Sequence, residues 1–151
     1  MDFVIRPLTS ADEPLLWEAL SQALHRSESE TAPSHDLVHR PEFARFVEHW
    51  GREGDAGFVA HDVRGGGTLG AVWFRPPPEG ATPELAFAVK PEHRKHGIGA
   101  ALLTQWVRAN PGQSVVSLRA GPHHPAVRLY ERFGFRVTEE SGTHVTLRRD
   151  A

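Results

Sequence analysis

The chain has no cysteine and a single tyrosine in 151 residues. Without cysteine there is no disulfide framework, no thiolate metal site and no sulfur nucleophile. An excess of charge is lacking as well: the formal net charge is −2, which argues against bulk nucleic-acid binding. No apolar run is long enough to span a bilayer. The segment from Met1 to Pro7 is short and alternating, not a basic stretch followed by an apolar one. The expectation is an intracellular, cytoplasmic protein that engages neither nucleic acid nor membrane. Internal repeats, long linkers and low-complexity tracts are missing too. What is present is the balance of an ordinary globular protein, with 39% hydrophobic and 24% charged residues. The length suits one domain over 1–151 with a sizeable core.

Phe3 to Arg6 alternates and is closed by Pro7, which suits a first strand. Thr9-Ser-Ala-Asp12 resembles a capping box, and Pro14 sits where its missing N–H costs little. Leu16, Ala19, Leu20, Ala23 and Leu24 then share one face of a first helix. Residues 26–39 lose that period and are rich in Ser, Glu, Thr, Pro and His, which reads as a loop. A second helix is expected from Pro41, with Phe43, Phe46, Val47 and Trp50 on one face, ended by Gly51. Residues 57–63 and 68–74 read as strands joined by Arg64-Gly-Gly-Gly67, and 84–89 as the next strand of an antiparallel meander. Helical spacing over 100–107 runs up to the breaker Asn110-Pro-Gly112, and 115–118 is a short buried strand. A last helix covers 126–133 with Gly134 at its C′ position, and strands near 135–139 and 143–149 close the chain. Trp17, Trp50, Trp73 and Trp106 fall mostly on apolar faces and read as core. This order gives an α+β protein, a mixed and mainly antiparallel sheet with helices on both faces.

The most informative stretch lies between the 84–89 strand and the helix that follows it, where Arg94, Gly97 and Gly99 stand in the spacing Arg-x-x-Gly-x-Gly. A glycine-rich turn into a helix start lets backbone N–H groups face an anion with no Cβ in the way, and the helix dipole adds favourable partial charge. Lys95, His93 and His96 add donors, and the Arg94 fork suits a phosphate. Neither the P-loop nor the dinucleotide fingerprint fits, because the lysine and hydroxyl of one and the third glycine of the other are missing.

The segment beginning Val89-Lys-Pro91 and running through Arg94 to Gly97 and Gly99 resembles the acyl-CoA signature of the GNAT superfamily of N-acyltransferases. Ala126-Val-Arg-Leu-Tyr-Glu-Arg-Phe-Gly-Phe135 is similar to the same family's second motif, and the two occur in the family's order. The resemblance implies an α/β/α sandwich whose fourth and fifth strands splay apart around the pantetheine arm of acetyl-CoA. Backbone of Phe87, Ala88 and Val89 would pair with that arm. N–H groups of Lys95, His96, Gly97, Ile98, Gly99 and Ala100 would hold the pyrophosphate. His123 stands where the family often has an asparagine that bonds the arm or the bound amide; a turn residue capping the helix is the plainer reading of it.

Acyl transfer from a thioester to an amine needs a neutral amine, a donor for the developing oxyanion and a proton for the leaving thiolate. The resemblance places Tyr130 as the acid beside the sulfur; by its spacing alone it reads as an amphipathic core residue. The family often uses a carboxylate on the fourth strand to take the amine proton, and Glu84 is the match; a solvated carboxylate at a strand start is the plainer reading of it, and a histidine is the alternative base. In the branch acting on ribosomal protein N-termini a fifth-strand carboxylate does this work. Leu118 occupies that place here, which points away from that branch. The ten histidines are scattered, and although His35 and His39 stand four apart near Glu42, no His-Glu-x-x-His is present, so no metal is expected. Residues 26–39 are either a border of the acceptor pocket or a plain surface loop. The function implied is acetyl transfer from acetyl-CoA straight to a primary amine of a small-molecule or protein acceptor. The alternative is a non-catalytic acyl-CoA-binding sensor. Members of the family are often dimers, which makes a homodimer the partner to look for.

Overall fold

A computed structural model describes residues 3–24, 39–75, 83–89, 97–110, 115–120, 125–140 and 144–149. Strand β1 is Phe3–Pro7, and a 3-10 turn at Ser10–Asp12 leads into helix α1, Glu13–Leu24. A one-turn helix α2, Pro41–Ala44, precedes strands β2, Ala56–Asp62, and β3, Thr68–Phe74. Strand β4 is Ala86–Val89, with an isolated bridge at Glu84, and helix α3 is Ile98–Ala109. The remainder is strand β5, Val115–Ala120, helix α4, Pro125–Arg132, and strands β6, Arg136–Glu140, and β7, His144–Arg149. The strands form two sheets, β1-β2-β3-β4 and β5-β7-β6, and every ladder in them is antiparallel.

Alternation along β3 and β4 assigns each side chain to one of two cores. On one face Val72, Phe74, Phe87 and Val89 pack with Ile98, Leu102, Leu103 and Trp106 of α3 and with Tyr130, Phe135 and Leu147. On the other, Ala71, Trp73, Ala86 and Ala88 pack with Leu16, Ala19 and Leu20 of α1 and with Val47 and Trp50. Each buried Leu, Ile or Val contributes roughly 1.5–3 kcal/mol of hydrophobic stabilisation. Helices on both faces of the sheet are therefore a direct result of strands apolar on both sides. Trp50, Trp73 and Trp106 are buried as expected. Trp17 is only partly so, stacked on His39 at 4.3 Å between ring centroids.

The second helix is shorter than the apolar spacing predicts. After Ala44 three-residue turns appear, Phe46 N–H to Phe43 O at 3.1 Å and Val47 N–H to Ala44 O at 2.9 Å, beside a remaining Glu48 N–H to Ala44 O bond at 2.8 Å, and His49 takes a positive φ of 59°. The carbonyls this leaves are taken by Arg75, whose guanidinium donates to Arg45 O at 3.3 Å and His49 O at 3.2 Å and pairs with Asp55 at 3.1 Å. The apolar face still reaches the core, with Val47 fully buried and Trp50 donating to Thr9 O at 3.1 Å.

The capping box at the start of α1 is formed as its sequence suggests. Asp12 accepts from Thr9 N–H at 2.7 Å and from both guanidinium nitrogens of Arg6 at 2.9 Å each. Hydrogen bonding from Arg6, against the opposing effect of burial, holds the Asp12 carboxyl down at about 2. A carboxyl whose folded pKa is depressed adds stability that is present above its ordinary range and lost as pH falls through that range toward the folded value. Asp12→Asn is expected to melt below wild type at pH 7, with the gap closing as pH drops through about 4 toward about 2. A gap that stays constant across thermal melts in that range would assign Asp12 a purely steric role.

Candidate active site

Strand β4 carries the centre of the candidate site, and all four of its residues are buried. It pairs with β3 in the register Val72 opposite Phe87 and Ala71 opposite Ala88. On its other side no ladder among the described residues joins it to β5, which pairs with β7. Among the described residues the strands thus fall into two sheets, with β4 at the end of one and β5 at the end of the other.

Gly97 and Gly99, alike in the motif, serve different physical ends. Gly97 is the N-cap of α3 with φ +82° and ψ 0°, a left-handed conformation that side-chain-bearing residues rarely adopt. Among the described residues no side chain caps the helix there, and a Cβ added to Gly97 would meet nothing within 4 Å. The N–H groups of Ile98, Gly99 and Ala100 begin α3 and have no acceptor inside the helix. Gly99 faces inward: a Cβ there would lie 2.8 Å from Cζ of Phe87 and 3.2 Å from Cδ2 of Leu129. Its missing side chain lets the first turn of α3 sit directly on β4 and α4. No signal in the sequence separates the open glycine from the packed one.

Tyr130 is fixed by the way α4 ends. Gly134, at φ +91°, follows the helix, Phe135 N–H donates to Tyr130 O at 3.2 Å and Gly134 N–H to Glu131 O at 3.1 Å. These two bonds are the Schellman pair, and its usual hydrophobic contact is here the edge-to-face packing of Tyr130 on Phe135 at 4.9 Å. Arg149 braces the same corner, Nε donating to Phe133 O at 2.9 Å. The Tyr130 ring is fully buried and also lies edge-to-face on Phe87 at 5.6 Å. Phe87 therefore touches Tyr130 and borders the first turn of α3, which brings two of the sequence motifs to one point on β4.

Glu84 stands three residues before Phe87, about 10 Å along an extended strand. Its Oε1 accepts from Nη2 of Arg45 at 2.9 Å. Sequence reasoning assigns Arg45 no role, and nothing local could, since it lies 39 positions from its partner. Arg94, Lys95, His96 and His123 lie outside the described residues, as do residues 26–38 of the 26–39 segment read as an acceptor-pocket border or a surface loop. No group of three or more potential metal ligands occurs among the described residues, and no helix among them is long and apolar enough to cross a membrane.

The family model for the acetyltransferase (GNAT) domain matches residues 53–137, more than half of the chain. The comparison with curated proteins gives no match. Among solved structures, an N-acetyltransferase from Thermoplasma acidophilum in complex with coenzyme A superposes with a TM-score of 0.68 at 17% identity, covering 100% of both chains. A ribosomal-protein alanine N-acetyltransferase from Escherichia coli gives 0.66 at 17% identity over 98% of this chain and 93% of that one. A variant spermidine N-acetyltransferase from Vibrio cholerae gives 0.63 at 16% identity over 97% and 92%. At such identities these likenesses speak for the fold alone; with the family model matched from just before β2 to the start of β6, the chain belongs to the GNAT family of acetyltransferases.

Proposed function

We propose that the protein transfers the acetyl group of acetyl-CoA directly to a primary amine, as a single domain. The observation that carries this reading is the convergence at Phe87, where the buried phenol of Tyr130 meets the strand that stands, among the described residues, at the end of its sheet. The residues present suit the co-substrate. Gly97 leaves open space above a helix start, and the backbone of Phe87, Ala88 and Val89 lies on that end strand. The N–H groups from Lys95 to Ala100 would hold the pyrophosphate with the Arg94 side chain, and His123 would bond the pantetheine arm or the amide formed.

Acetyl-CoA supplies an activated thioester. The amine nitrogen attacks its carbonyl carbon, the carbon–sulfur bond breaks, and the sulfur takes the hydroxyl proton of Tyr130. The phenol O–H donates to the sulfur as negative charge develops on it, and dry surroundings strengthen that hydrogen bond. Glu84 takes the proton lost by the amine through water, in keeping with its spacing along the strand from Phe87. With no cysteine to carry an acyl group, transfer is direct. A second reading, an acyl-CoA-binding sensor without turnover, is favoured by the complete burial of Tyr130 among Phe87 and Phe135.

Release of free CoA from acetyl-CoA over a panel of amines tests the reaction, and Tyr130→Phe separates the two readings. The enzyme reading expects kcat to fall by ~10²-fold or more with acetyl-CoA affinity little changed, and the deficit to shrink for a donor whose thiol leaves readily. Equal turnover by variant and wild type would remove the acid role. A second variant examines the base: Glu84→Gln should lose most turnover at the acid end, where the amine arrives protonated, and recover as pH rises. A loss independent of pH would remove the base role and leave Glu84 only the binding of the acceptor.

A further inference from the structure

Building on the acetyl-transfer reading, we propose that the acceptor carries an anionic group beside its amine: Arg45 binds the anion while Glu84 receives the ammonium. Arg45 and Glu84 meet at 2.9 Å with their side chains 55% and 28% exposed, so the pair faces solvent at the head of the strand that runs to Phe87 and Tyr130. The guanidinium is oriented by the ring of Phe46, 4.2 Å away.

The turn that presents Arg45 is held far more firmly than a surface turn requires. Arg75 binds the Arg45 carbonyl from beneath, and its ion pair with Asp55 is nearly sequestered, the side chains being 9% and 3% exposed. Asp55 in turn accepts from Gly51 N–H at 3.1 Å and Arg52 N–H at 3.0 Å. Trp73 donates its indole N–H to Phe46 O at 3.0 Å. Sequestering an ion pair is costly unless its geometry and further hydrogen bonds offset the desolvation. Here the further bonds all go to the turn from Arg45 to Arg52. A surface arginine is thus fixed in place opposite Glu84.

Charge decides which amine this arrangement accepts. A simple ammonium approaching Glu84 must displace a guanidinium and then remain beside it, two like charges sharing one carboxylate. A polyamine adds still more positive charge. An acceptor bearing both ammonium and carboxylate, or phosphonate, offers each member of the Arg45–Glu84 pair an opposite charge, and the planar fork of Arg45 suits an oxygen pair.

The test measures CoA release with matched acceptors: α-amino acids, β-alanine and 2-aminoethylphosphonate, against amines of the same skeletons without the acidic group, and spermidine. Wild type is expected to favour the acidic members by at least about tenfold in kcat/KM, the effect of one hydrogen bond to a charged group. Arg45→Gln should erase that preference through KM, and Arg45→Lys should restore part of it. Equal or better use of the non-acidic amines or spermidine by wild type would overturn the proposal. So would a loss in Arg45→Gln that is the same for both sets, or no release from any acidic acceptor while acetyl-CoA still raises the melting temperature. If acetyl-CoA gives no such rise, the acetyl-transfer reading fails and this proposal fails with it.

Discussion

The site depends on one constraint: β4 must be apolar on both faces while standing, among the described strands, at the end of its sheet. Ala86 and Ala88 are small because Trp73 and the α1 side lie over them, and Phe87 and Val89 are large because α3 and α4 must be reached on the other side. That packing holds the strand on both of its faces. It also makes Phe87 the contact through which the rest is set. Gly99 is glycine because Phe87 is there, and Tyr130 stands where it does because Phe87 and Phe135 enclose it. Loss of the Phe87 ring would free both at once, beyond the roughly 3–5 kcal/mol that such a truncation costs in a core.

Opposite this apolar device stands a polar one. The turn after α2 is stabilised by Arg75, Asp55 and the indole of Trp73. Together they set the place of Arg45, which reaches Glu84. On the proposed mechanism the apolar half of the molecule positions the acyl donor and the proton for sulfur, while the polar half selects the acceptor. The two halves meet along the few residues from Glu84 to Val89.

Much of the fold is legible in the sequence where the physics is local. The capping box at Thr9, the Schellman glycine at position 134, the alternating strands and the glycine at the start of α3 are set by neighbours a few positions apart, and each forms as read. The family resemblance rests on two such local motifs. What the sequence hides depends on distance along the chain. The apolar spacing from Phe43 to Trp50 shows a buried face, but that the helix stops at Ala44 depends on Arg75, which collects its carbonyls from 26–30 positions away. The Arg45–Glu84 pair spans 39 positions. The different duties of Gly97 and Gly99 depend on what lies above each of them, which no spacing reveals.

The central claim is that the α3 turn and the edge of β4 hold acetyl-CoA. It is tested most directly by the melting temperature of the protein as acetyl-CoA is added, with Gly97→Val alongside. A ligand bound only by the native state at 100 times its Kd stabilises by about 2.7 kcal/mol, which for a domain of this size is several degrees at roughly 2–4 °C per kcal/mol. That rise is expected for the wild type. None is expected for Gly97→Val, because a β-branched residue is strained at φ +82° and its side chain would fill the open space above the turn. No rise in folded wild type, or an equal rise in both proteins, would contradict the claim.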